Sequence, residues 1–225
     1  MTTYKDILNS DYFKNCYTLI EELKKDYPVN HGFIHVNHVI ENAKNLSKLF
    51  NLTEKDTNLL LIACCLHDIG YINGREDHAK TGAVLAKDYL TKNSDLNNAD
   101  IDLICGAIAS HGGSEISDYK NKISLCLIFA DKLDYLGTRY KNVESTALYR
   151  TIVKTELVKT NDVYQLNFYS TLPDFENQLK TKSPHINNKL LSVLDKFSRA
   201  WNVKTELIYK QLKPKTDKNF VLNLE

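Results

Sequence analysis

LLLIACCLHDIG, residues 59–70, is the stretch whose reading decides the fold. A run of apolar residues at helical density ends in the adjacent pair His67–Asp68, followed by Gly70. Read as a buried helix over 58–69, it holds an imidazole and a carboxylate at its C-terminal end by core packing. Two ionisable groups beside a wall of Leu, Ile and Cys are costly to bury unless they are paired or hold a metal. A helix C-terminus with a dipole-favoured His and a loop-capping Asp is the plain alternative. The metal is the more economical reading, because the rest of the chain supplies further donors of the same kind.

Working outward, the neighbours of this stretch also read as helices. Apolar residues recur with helical rhythm over 4–27, up to Pro28, and again over 35–50. Thr53 followed by Asp56 marks the N-cap of the central helix. Further helices are expected over 78–92, over 98–110 ending at Gly112-Gly113, and over 123–135. After Tyr140 the texture changes. Residues 149–158 and 163–169 are rich in Val, Ile, Thr and Tyr and flank 159–162, the pattern of a β-hairpin. Pro173 and Pro184 bracket a short helix, and 186–212 reads as one long final helix. The expected fold is mainly α, a helical body over 1–142 with a C-terminal hairpin-plus-helix extension over 143–225 packed on it rather than folding alone.

The totals narrow the classes of function. The 29 basic and 28 acidic residues nearly cancel, which argues against a broad nucleic-acid or membrane surface. Cys16, Cys64, Cys65, Cys105 and Cys126 are odd in number and form no CxxC, so they read as reduced core thiols of a cytoplasmic protein. The first fifteen residues are mixed in charge, unlike a signal peptide, and no apolar run is long enough to span a bilayer.

Six of the seven histidines lie between His31 and His111, several at expected helix ends. His35 begins one helix, His67 and Asp68 end the next, His78 begins another and His111 ends the one after. Asp131 sits in the apolar run IFADKLD, where a carboxylate needs a partner. In a bundle these ends can converge on one pocket. Imidazole and carboxylate donors without thiolate suit Mn, Fe, Co, Ni or Zn, or Mg where carboxylate and water dominate. His31 and His38 read as loop or surface residues, and His185, after Pro184, as an ordinary surface one.

The order His35…His67–Asp68…Asp131 resembles the HD-domain superfamily of metal-dependent phosphohydrolases over roughly residues 31–140. LHDIG, HAKTGAVL and ADKLDYLGTRY are similar to pieces of its two-metal members, including the HD-GYP cyclic-dinucleotide phosphodiesterases. SHGG around His111, taken with ADKLD…R, also resembles the dinucleotide-tetraphosphate hydrolase branch. The resemblance implies His35, His67, Asp68 and Asp131 as ligands of one divalent ion, and His78 and His111 as ligands of a second with Asp68 bridging. It departs at Tyr71, where HD-GYP proteins carry lysine, and at Gly112-Gly113-Ser114, where the GYP signature is missing. Cyclic di-GMP hydrolysis is therefore not expected.

The implied reaction is hydrolysis of a small phosphate ester or anhydride, a nucleotide above all, by attack of metal-bound hydroxide. Asp68, His78, His111 and Arg139 are the candidate catalytic residues. Arg75, Lys80, Lys132 and Arg139 are the candidate phosphate contacts, with Arg139 favoured because guanidinium suits bidentate contact. A di-iron oxygenase on the same scaffold and a non-catalytic nucleotide- or metal-binding module are the alternatives.

Overall fold

The computed structural model describes residues 1–212; the end of the expected extension, 213–225, lies outside them. Its order is α1 (Tyr4–Asn9), α2 (Asp11–Leu23), α3 (Phe33–Leu49), α4 (Glu54–Leu66), α5 (His78–Asn93), α6 (Asn98–Ser110), α7 (Lys122–Lys132), β1 (Ile152–Thr160), β2 (Val163–Ser170), α8 (Phe175–Lys182), α9 (Pro184–Trp201) and β3 (Lys204–Gln211). The molecule is mainly α with one small sheet. No helix among the described residues is long and apolar enough to cross a membrane.

The expected first helix is two. Ser10 leaves helical geometry, and its hydroxyl accepts from the Phe13 amide, so it ends α1 and caps α2. α4 is the axis of the body: every residue from Leu59 to Leu66 is buried. It is wrapped by α1, α3, α5, α6 and α7. Thr53 caps its start and His67 its end, so the helix stops one turn earlier than expected. Asp68 then leads into a short 3-10 turn, Ile69–Asn73. Gly70 permits this turn to meet α5, because a Cβ there would collide with the His78 carbonyl and lie 2.6 Å from the Gly82 amide nitrogen. α3 is tied to α7 by Asn42, whose side chain donates to the Ala130 carbonyl at 3.0 Å.

β1 and β2 form the expected hairpin, with Thr160 opposite Val163. The two linking residues, Asn161 and Asp162, both have positive φ, as a two-residue primed turn requires. The long final helix is a correction. α9 ends at Trp201 because Asn202 adopts φ 51°, a left-handed helix stop. The following residues form β3, which runs parallel to β2 and completes a three-stranded sheet in the order β1-β2-β3.

The extension and the body share one core. Phe197 of α9 is fully buried. Its ring meets Phe129 of α7, Phe50 at the end of α3, and Tyr164 of β2, each edge-on at 5.0–5.9 Å. Trp201 donates its indole N–H to the Tyr119 carbonyl at 2.6 Å, fixing the C-terminal end of α9 on the body.

Candidate metal centre

Five segments bring their ends to one point. α3 carries His35 in its first turn, the end of α4 carries His67 and Asp68, and α5 opens with His78. α6 is capped by His111, and α7 carries Asp131 in its last turn. His31 joins from the loop before α3. That loop is stapled down by the Asn30 amide, which donates to the Arg139 carbonyl at 2.9 Å, and by a β-bridge between Val29 and Tyr140.

The carboxylate of Asp68 stands between two groups of imidazoles. Its Oδ2 lies 3.4 Å from His31 Nδ1, His35 Nε2 and His67 Nε2. Its Oδ1 lies 3.7 Å from His78 Nε2 and 3.6 Å from His111 Nε2. Asp131 Oδ1 completes the first group, 3.4 Å from His35 Nε2. Three overlapping sets of donors close enough to share an ion result: His31 with His35 and Asp68, His35 with His67 and Asp131, and Asp68 with His78 and His111.

In His35, His67, His78 and His111 the other ring nitrogen is already engaged. His67 Nδ1 meets the Cys64 carbonyl at 2.8 Å, His78 Nδ1 the Arg75 carbonyl at 2.9 Å, and His111 Nδ1 the Ile108 carbonyl at 2.7 Å. His35 Nδ1 meets Asp134 Oδ2 at 2.6 Å. A carbonyl or a carboxylate only accepts, so each of these Nδ1 atoms carries a proton, and Nε2 is the atom each ring turns inward. These Nε2 atoms face one another in pairs, His35 with His67 at 3.1 Å and His78 with His111 at 3.2 Å. Two lone pairs at that distance repel unless a cation or a proton lies beside them. The arrangement fits divalent metal ions, and it includes the outer hydrogen bonds that hold metal-binding imidazoles in the right tautomer.

The electrostatics agree. Burial alone would raise the Asp68 carboxyl, but His67, His111, His31 and His35 around it hold it well below the usual carboxylate range. Burial is likewise outweighed at Asp131 by Lys132, His35 and His67. Burial and Arg139 oppose protonation of His35, yet Asp131, Asp134 and Asp68 raise its imidazole to about 10. The surroundings of that ring demand positive charge. Burial pushes His31 and His78 down, towards the neutral form that can act as a ligand.

A cavity of about 390 Å³ opens over the centre and is lined by Asp68, Asp131, His78 and His111 together with basic and aromatic side chains. Arg75 and Lys132 line it. Lys132 is buried with its ammonium on Asp131 Oδ2. Lys80 is not brought in. It stands two residues beyond His78 on α5, which turns it to solvent, where it pairs with Asp77 at 3.3 Å. Arg139 lines the cavity, but most of its fork is spent. Its Nε donates to the Asn30 carbonyl at 3.0 Å and its Nη1 to the Asp134 carbonyl at 2.8 Å, while Nη2 lies 3.4 Å from His31 Nδ1. The guanidinium clamps the His31 loop rather than standing open for bidentate contact with a phosphate. Tyr71 stacks on His78, with centroids 4.3 Å apart, and packs a candidate donor instead of presenting a free face to a base.

Several residues of the site were passed over in the sequence. Asp134, fully buried, meets both His35 and His38, the latter at 2.7 Å. A second acid in the ADKLD run was its available signal. His31, read as a loop residue, contributes to one donor set. His185 and Lys189 of α9 line the cavity, and nothing near them in the sequence signals it.

No curated protein matches the chain in sequence. The HD domain family model matches residues 32–139, which span α3 to α7 and carry His35, His67, Asp68, His78, His111 and Asp131. HD domains form a superfamily of metal-dependent hydrolases, and residues 32–139 of this chain are an HD domain.

Proposed function

We propose that the protein is a metal-dependent phosphohydrolase acting on a small phosphate ester or anhydride, with nucleotides as the substrate class. The observation that carries this reading is the paired, inward-facing Nε2 atoms on either side of Asp68, at the floor of a cavity with basic walls. His35, His67, Asp68 and Asp131 would hold one divalent ion. Asp68, His78 and His111 would hold a second. An ion held there supplies Lewis acidity, lowering the pKa of a water towards neutrality and drawing charge from a phosphoryl oxygen.

The chain's own groups do the rest. Lys132 and Arg75 stand at the cavity wall to offset the charge of a bound phosphate. Where a single ion binds, His78 is free to carry a proton to the leaving oxygen. Its ring is steadied by the Arg75 carbonyl and its Nε2 lies at the edge of the cavity. Asp134 and Arg139 act behind the site, the first orienting His35 and the second holding the His31 loop.

The test is phosphate release by purified protein loaded in turn with Mn, Mg, Co, Ni, Zn or Fe, over nucleoside mono-, di- and triphosphates and dinucleotides. Activity that depends on metal and disappears in folded Asp68→Ala is the expected result. A folded Asp68→Ala protein with full metal-dependent activity overturns the proposal. Two irons with a mixed-valent signal and no phosphate release point to an oxygenase, and nucleotides that stabilise the fold without turnover point to a binding module.

A further inference from the structure

The wall of the cavity opposite the HD domain comes from outside residues 32–139. His185 and Lys189 lie four residues apart on α9, hence on one helical face, and both line the cavity with Asp68, Asp131 and Lys132. Their position is fixed at three points along the chain. The Tyr149 hydroxyl meets the Ser183 hydroxyl at 2.7 Å just before α9 begins, Lys196 Nζ donates to the Gly113 carbonyl at 3.1 Å, and Phe197 is locked in the shared core. The helix that carries Lys189 is thus anchored on both sides of it.

The basic groups on the cavity wall are not equally partnered. Lys132 has Asp131 as its partner. Lys189 forms no ion pair among the described residues. The side chain is exposed at the mouth of the cavity, and the charge of Lys132 holds its ammonium below the usual lysine range. Two like charges lining one cavity are relieved by an anion that lies between them. A phosphate seated over Asp68 and Asp131 occupies the floor, so the spare cation at the α9 wall is available to a further one.

We infer that α9 forms part of the substrate site, with Lys189 and His185 receiving a second phosphate linked to the reacting one, so that the preferred substrate is a phosphoanhydride rather than a monophosphate ester. The inference rests on the hydrolase reading above and narrows its substrate class.

The experiment compares ATP with AMP, and GTP with GMP, in Mn-loaded wild-type, Lys189→Ala, Lys189→Arg and His185→Gln proteins. The wild type should have the higher kcat/KM on the triphosphates. Lys189→Ala should raise KM for the triphosphates about tenfold more than for the monophosphates, the size of one charge-assisted contact, with the loss in KM rather than in kcat. Lys189→Arg should recover most of it, and His185→Gln should show a smaller loss of the same kind. A wild type with no preference for triphosphates, or a loss in Lys189→Ala that is equal for both classes, overturns the inference. If the wild type releases phosphate from none of these compounds, the hydrolase reading is decided separately by its wider panel of metals and substrates. The role of α9 is then read from thermal unfolding with Mn and either ATP or AMP. A stabilisation by ATP beyond that by AMP, removed by Lys189→Ala, supports it; equal stabilisation of the two proteins overturns it.

Discussion

His35 Nδ1 and Asp134 Oδ2 lie 2.6 Å apart, both side chains fully buried, and the same carboxylate also takes His38 at 2.7 Å. Burial alone would raise the Asp134 carboxyl, but hydrogen bonds from His35 and His38 hold it at about 2, so it stays ionised through the neutral range. An ionised partner at Nδ1 fixes the tautomer of His35 and makes its Nε2 a better donor. Asp134→Asn keeps the shape but removes the charge, and is expected to weaken metal binding about 10–100-fold while the helices persist. Calorimetric titration with Mn, beside a circular dichroism spectrum, checks both halves.

The two oxygens of Asp68 serve different imidazole sets, and this predicts a stoichiometry. His111→Ala removes a donor only from the set on Oδ1, so bound metal should fall from two ions per chain to one. Asp68→Ala should lose both. Elemental analysis after gel filtration measures each. A wild type that holds a single ion would instead give His78 and His111 the task of moving a proton.

Gly70 sits where the turn after Asp68 touches the start of α5. Gly70→Ala would force a methyl group against backbone, the His78 carbonyl and the Gly82 amide, neither of which can swing aside as a side chain does. The expected cost is about 1–3 kcal/mol of stability, with loss of the ion on the His78 side before the other. Thermal unfolding and metal analysis on one sample test the pairing of the two effects.

The cysteines give a pH prediction. Burial pushes the Cys105 thiol up to about 11 and Cys126 up to about 12. A thiol that ionises later in the folded chain than in the unfolded one adds full stability below about pH 8.5, and that share is lost as pH rises through 11 and 12. The melting temperature should fall steadily across that window. At about pH 8, iodoacetamide should label both residues at least about a hundredfold faster in urea than in the native protein, since the thiolate is what reacts.

How much of this was legible in the sequence depended on where each signal lay. α4 was readable because its apolar run is unbroken and His67–Asp68 interrupts it at one end; the order of the remaining donors then followed from helix ends. Lys80 misled because a basic residue close to His78 in sequence lies on a different face of the helix. Arg139 was placed at the cavity, but its neighbours in sequence do not reveal the two carbonyls it clamps, one of them in the distant loop at Asn30. β3 was hidden in a helical rhythm that Asn202 ends, and parallel pairing with β2 leaves no local turn to announce it. Lys189 had no sequence signal, because its place over the site exists only once α9 has docked.

The direction of β3 beside β2 carries a consequence for how the molecule assembles. Strands that run the same way cannot be joined by a tight turn, so the chain must leave through α8 and return along α9 before the third strand finds its partner. Such pairing waits on contacts between distant parts of the chain and is slow to form. Every candidate cation donor has been synthesised by residue 131, whereas the helix that faces them from across the cavity is made more than fifty residues later. The order of synthesis thus delivers the residues that would grip metal before the wall that would tell one phosphate compound from another.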